Sequence, residues 1–203
     1  MSKTRLEAFS DGVIAIIITI MVLELKIPHG TTLATLAPLL PVFLVYVLSF
    51  IYLGIYWNNH HHMLHTVRHV RGPTLWANMY LLFWLSLIPF ATGWMGENHF
   101  AAMPTAVYGF VLLMAAIAYY ILQQVIIATQ GEHSVLKQAV GGDWKGKASP
   151  PLYILGIASA FLSPWISQVI YATVALIWLV PDRRIEDALI AGAAGRPPDT
   201  TTA

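Results

Sequence analysis

Three stretches of this chain, residues 36–57, 75–95 and 103–129, contain no charged residue. A helix gains about 1.5 Å per residue, so about 20 apolar residues cross the roughly 30 Å hydrocarbon core of a bilayer. Each stretch reaches that length. A water-soluble chain could not hide three such runs. Only 10% of the 203 residues are charged and 57% are hydrophobic, whereas soluble domains carry about 25% charged residues. The sequence therefore predicts an all-α membrane protein.

Two further apolar runs are less regular. Residues 9–27 include Asp11, Glu24 and Lys26. The purely apolar middle, 12–23, is short for a lipid-facing span, so this run is expected to be a helix shielded by its neighbours. Residues 151–180 suit one tilted helix or two short ones, and Pro164 after Ser163 favours a break, because proline removes a backbone hydrogen bond. Charge settles the parity. With six spans, Lys3, Arg5, Arg68, Arg71, Lys137, Lys145, Lys147, Arg183, Arg184 and Arg196 share one side, and only Lys26 lies opposite. The positive-inside rule then puts both termini in the cytoplasm. Trp57, Trp76, Trp94, Trp165 and Trp178 fall near span ends, as interfacial aromatics do. The Gly- and Lys-containing segment 131–149 is expected to be a flexible cytoplasmic connection. The expected division is a six-helix transmembrane domain over 1–191 and a flexible cytoplasmic tail over 192–203. The N-terminus lacks a signal-peptide cleavage pattern, so the first run is expected to stay in place. The chain has no cysteine, which excludes disulfides and thiolate metal sites, and a net charge of +1 gives no nucleic-acid footprint.

Charges within a membrane segment are costly and therefore candidates for function. Glu7 and Asp11 lie four residues apart on one helix face, where like charges repel, so a cation should sit against them. Arg5 is about 240° from Asp11 around the helix and should pair elsewhere. Alternatively, Arg5 is a topology anchor and Asp11 only a cap. Ile16, Ile20 and Leu23 form one stripe, extended by Gly12 at one end and Ile27 at the other. By spacing alone this is ordinary packing, with the Thr19 hydroxyl bonded to its own helix. His60, His61, His62, His65 and His69 crowd the end of the second span. The four-residue steps from His61 to His65 and from His65 to His69 suit a zinc ion, and histidine titrates near neutrality. The plainer reading is a polar interfacial end, with His60 or His61 bonded to Asp11. A zinc-dependent membrane enzyme and a proton-coupled transporter using Glu7, Asp11 and the histidines are the rival functions.

Arg5, Phe9, Ser10 and Asp11, followed by Ala15, Ile16 and Thr19, fit R-x-x-x-F-S-D-x-x-x-A-I-x-x-T. This resembles the opening helix of the endosomal/lysosomal potassium channel family (transmembrane protein 175 type), including its prokaryotic branch. Trp57 with His60 and His61 is similar to the family's W-x-x-H-H. Asn78, Phe83, Pro89 and Phe90 resemble its third helix, and Trp178 with Pro181-Asp182-Arg183-Arg184 resembles the close of its sixth. The resemblance implies six helices per chain, a homotetramer in the prokaryotic plasma membrane, and a pore lined by the first helix. It implies a potassium-permeable cation channel rather than an enzyme, with no cofactor and no resident metal. It places the gate at Ile16, with Thr19, Ile20 and Leu23 also facing the pore. Arg5, Ser10, Asp11, His60 and His61 are the expected structural network. The chain contains no T-V-G-Y-G filter, so stacked apolar rings that gate by dewetting are the expected device.

Overall fold

The computed structural model describes residues 2–67, 69–131, 134, 136–137 and 144–179. The expected tail and the Pro181–Arg184 match lie outside these residues. Every regular element among them is helical: α1 (Lys3–Met21), α2 (Leu40–His65), α3 (Gly72–Ser86), α4 (Ile88–Glu97), α5 (Ala102–Gln130), α6 (Trp144–Ser159) and α7 (Pro164–Leu179). Two 3₁₀ segments, Val22–Glu24 and Leu33–Leu39, flank the extended connection between α1 and α2.

The uncharged runs became spans, with α3 and α4 together forming one. Four stretches are long and apolar enough to cross a membrane: Lys3–Glu24, Leu33–His65, Gly72–Glu97 and Ala102–Gln130. The helices α6 and α7 hold 16 residues each, about 24 Å of rise. They are the two short closing helices that the break before Pro164 predicts. The chain is an all-helical, multi-pass membrane protein, with four stretches of spanning length and two short closing helices among the described residues.

Several boundaries differ from expectation. The α1 helix starts at Lys3 behind the Ser2 cap, whose side chain accepts from the Arg5 N–H at 3.4 Å. It ends at Met21, so Leu23 sits in a 3₁₀ turn and Ile27 lies beyond the helix. The third span is broken at Leu87. Pro89 explains the break, since it has no N–H to offer the Leu85 carbonyl one turn earlier. The supposed flexible connection is also shorter than expected, because α6 begins at Trp144 and carries Pro150 and Pro151 inside it. Ser149 and Trp178 secure that region: Ser149 Oγ donates to the Lys145 carbonyl and accepts from Trp178 Nε1, each at 2.8 Å.

The core is a layer of large apolar side chains between α2, α3, α5 and α7, including Leu53, Leu81, Leu85, Leu112 and Tyr171, all fully buried. Hydroxyls tie it together. Ser49 Oγ meets Thr92 Oγ1 at 2.7 Å and Tyr108 Oη at 3.0 Å, and Tyr52 Oη donates to the Tyr171 carbonyl at 2.6 Å. The α1 helix packs against α2, α3 and α4 at the side of this core.

Candidate functional site: the first helix and its mooring

The inner surface of α1 is set by a four- and three-residue rhythm. Leu6, Ser10, Ile14, Ile17 and Met21 are buried. Ser10 is the polar member, and a chain of bonds accounts for its burial. Its hydroxyl donates to the Leu6 carbonyl at 2.9 Å and accepts from Asn78 Nδ2 at 2.9 Å. Asn78 Oδ1 then lies 2.7 Å from His60 Nε2. With the Asn78 amide spent on Ser10, its oxygen is the acceptor, so His60 carries its proton on Nε2. Ser10, Asn78 and His60 are all at most 1% exposed, so the network joins α1, α2 and α3 out of reach of water.

Asp11 occupies the next position and is half-buried. Its carboxylate accepts from Trp57 Nε1 at 3.0 Å. Trp57 stacks on His61 at 6.1 Å between ring centroids, and His61 meets His65 edge-on at 4.5 Å. Asp11 is therefore held by an indole rather than by His60 or His61, correcting the expected bond. Arg5 is exposed and has no ion pair among the described residues. The cation beside Glu7 is Lys3, 3.7 Å away, and the same ammonium donates to the His65 carbonyl at 2.8 Å. The α2 helix stops at His65, so His69 does not continue its face. Among the described residues, no three His, Cys, Asp or Glu side chains are grouped to hold a metal ion.

Sequence reasoning assigned the network to Arg5, Ser10, Asp11, His60 and His61. The structure joins Ser10, Asp11 and His60 to Asn78 and Trp57, which that assignment missed. Asn78 carried a signal: a carboxamide inside the uncharged run 75–95 must find a buried partner.

The opposite face of α1 is left largely bare by the described residues of the subunit. Ile16 is 57% exposed, Ile20 43% and Leu23 77%. Thr19 lies beside them, its hydroxyl donating to the Ile16 and Ala15 carbonyls at 2.9 and 3.1 Å. An open groove of ≈ 630 Å³ runs along this face, between Ile16 and Ile20 on one wall and Phe90 and Trp94 on the other. At its outer end Glu24 presses on Gly93, and Lys26 pairs with Glu97 at 2.6 Å. Hydrogen bonding to Glu97 and its negative charge push the Lys26 ammonium above its usual range.

Residues 5–89, which span this face and its mooring, match the family described as endosomal/lysosomal potassium channel TMEM175. A potassium channel of Chryseobacterium sp. (strain P1-3) is 60% identical over 189 residues, 93% of this chain and 98% of the relative. The chain belongs to the TMEM175 potassium channel family. A second relative, a potassium channel of Chamaesiphon minutus, is 30% identical over 179 residues, covering 80% of this chain and 86% of its own. The fold agrees too. The crystal structure of a lysosomal potassium-selective channel TMEM175 homolog from Chamaesiphon minutus superimposes with a TM-score of 0.76 at 28% identity, covering 89% of this chain and 97% of that one. The resemblance read from the opening TMEM175 motif is thereby shown across nearly the whole chain.

Proposed function

We propose that the chain is one subunit of a homotetrameric, potassium-permeable cation channel in the prokaryotic plasma membrane, with both termini cytoplasmic. The α1 helices of four copies surround the pore, and Ile16, Ile20 and Leu23 form its apolar rings. Thr19 offers a hydroxyl oxygen to a passing cation between them. One observation carries this reading: α1 is bonded into the subunit on one face and left bare on the other. A bare Ile/Leu stripe could face lipid, but the adjoining groove is wide enough to admit part of a neighbouring copy. The channel relatives favour conduction over catalysis.

Four Ile16 side chains supply no oxygen to replace an ion's hydration shell. An ion passes only when the ring is wide enough to stay wet, so small changes in radius switch conduction. Replacing Ile16 with Asn makes the ring wettable and should raise potassium current through purified protein in bilayers. Ile16→Phe should lower it. Ile20 and Leu23 variants should act in the same directions, more weakly. Ile17 is 5% exposed and Ile18 packs against the core, so their substitution should disturb stability without opening the pore. Equal currents from Ile17→Asn and Ile16→Asn would refute the pore face. If no substitution among these positions changed the current, α1 would not line the pathway.

A further inference from the structure

A second cavity lies on the other side of α2 from the Asp11 mooring, enclosed by α2, α5, α6 and α7. It measures ≈ 50 Å³, room for about three to five water molecules. It lies toward the end of the bundle that holds the N-terminus, where the Trp178–Ser149 bond joins the last turns of α7 to the first turns of α6. Aromatic rings from Tyr52, Tyr120 and Trp178 form much of its wall, and none of its lining residues is charged.

Two polar groups in this wall are left over. Gln123 is 4% exposed, and its carboxamide makes no hydrogen bond among the described residues. Tyr56 is 9% exposed, and its hydroxyl is likewise without one. The polar atoms of both residues stay open to the cavity rather than sealed in the core, so its contents are their hydrogen-bond partners. Water could do so, but it would leave the aromatic wall wet. A molecule with a hydroxyl at one end and a short apolar body at the other satisfies both surfaces, as ligand sites with few polar groups in an apolar wall commonly do. A charged ligand would find no counter-charge in the wall.

We propose that this cavity is a binding site for a small uncharged amphiphile, whose hydroxyl bonds the Gln123 carboxamide and Tyr56 hydroxyl while its apolar end rests on Trp178. This inference does not depend on the channel reading.

The test uses the full chain in lipid vesicles and the probe 2-bromoethanol. Bromine quenches indole fluorescence on contact, and the chain has no cysteine for the probe to alkylate. Wild-type protein should show a saturable quenching component above the linear collisional background. Trp178→Phe should lack that component. Gln123→Leu keeps the shape but loses the hydrogen bond, and should weaken binding about tenfold. Ala116→Leu fills the cavity from α5 and should abolish saturation. Size-exclusion profiles matching wild type identify folded variants; should Gln123→Leu fail that check, Ala116→Leu and Trp178→Phe still decide. Purely linear quenching of wild-type protein would mean that the cavity holds only water, and would overturn the proposal. A saturable component that survives Trp178→Phe or Ala116→Leu would place the probe elsewhere and overturn it equally.

Discussion

At the scale of single residues, the attachment of α1 depends on two bonds of different character. The Asn78 carboxamide serves His60 with its oxygen and Ser10 with its nitrogen. Asn78→Leu leaves the His60 Nε2–H buried without an acceptor, and should cost about 1–3 kcal/mol of stability. Thermal unfolding of the purified protein measures it, and an unchanged midpoint would show the bond to be unimportant. The Trp57–Asp11 bond ends on a carboxylate. Hydrogen bonds to charged groups contribute about 1.5–3 kcal/mol, so Trp57→Phe should lose that amount in the wild type and little in an Asp11→Ala background. Equal losses in both backgrounds would mean that the indole acts by packing alone. The sequence pointed to Ser10, Asp11 and His60 because polar groups in an apolar helix stand out. It could not say which neighbour each would choose. His60 and His61 differ by about 100° around α2, and only the packing of α3 decides that His60 is the one turned inward to Asn78.

At the scale of helices, close approach is set by glycine. The Tyr171 ring lies between Gly109 of α5 and Gly156 of α6, and a Cβ on either would overlap it. Tyr171 Oη also donates to the Thr105 carbonyl at 3.3 Å, so the ring cannot simply swing away. Gly156→Ala should therefore cost at least about 1–3 kcal/mol. Gly54 of α2 has open space around its Cβ position, and Gly54→Ala should be neutral or stabilising by up to about 1 kcal/mol. Comparing the two melting temperatures separates steric overlap from a general effect of added methyl groups. Run length and charge parity made the number and order of spans legible. The start of α6 was not legible, because Gly-, Lys- and Pro-containing sequence reads as a loop until Trp178 is known to bond Ser149. Nor was the break at Leu87, because a single proline can kink a helix without dividing it.

At the scale of the whole molecule, the helices alternate so that Lys3, Arg5, Arg71, Lys145 and Lys147 gather at one end of the bundle and Lys26 at the other. The bond from Lys3 to the His65 carbonyl and that from Gln130 to the Thr66 carbonyl mark the first end. In the proposed topology this end faces the cytoplasm, as the positive-inside rule expects. Protease access to tags at both termini of the protein in sealed cells should therefore require membrane rupture, and cleavage of the C-terminal tag in intact cells would contradict the proposed topology. The two ends of α1 are also fastened by different physics. Near the N-terminus the fastening includes buried, short-range hydrogen bonds between Ser10, Asn78 and His60, which dissolved ions do not reach. Just past the far end it is the Lys26–Glu97 pair, whose side chains are 76% and 45% exposed. An exposed ion pair contributes little and is screened over about 10 Å at 0.1 M salt. Mechanically, α1 is a beam clamped along its buried face as far as Met21, with a weak tie beyond that end, at Lys26, that slackens as ionic strength rises.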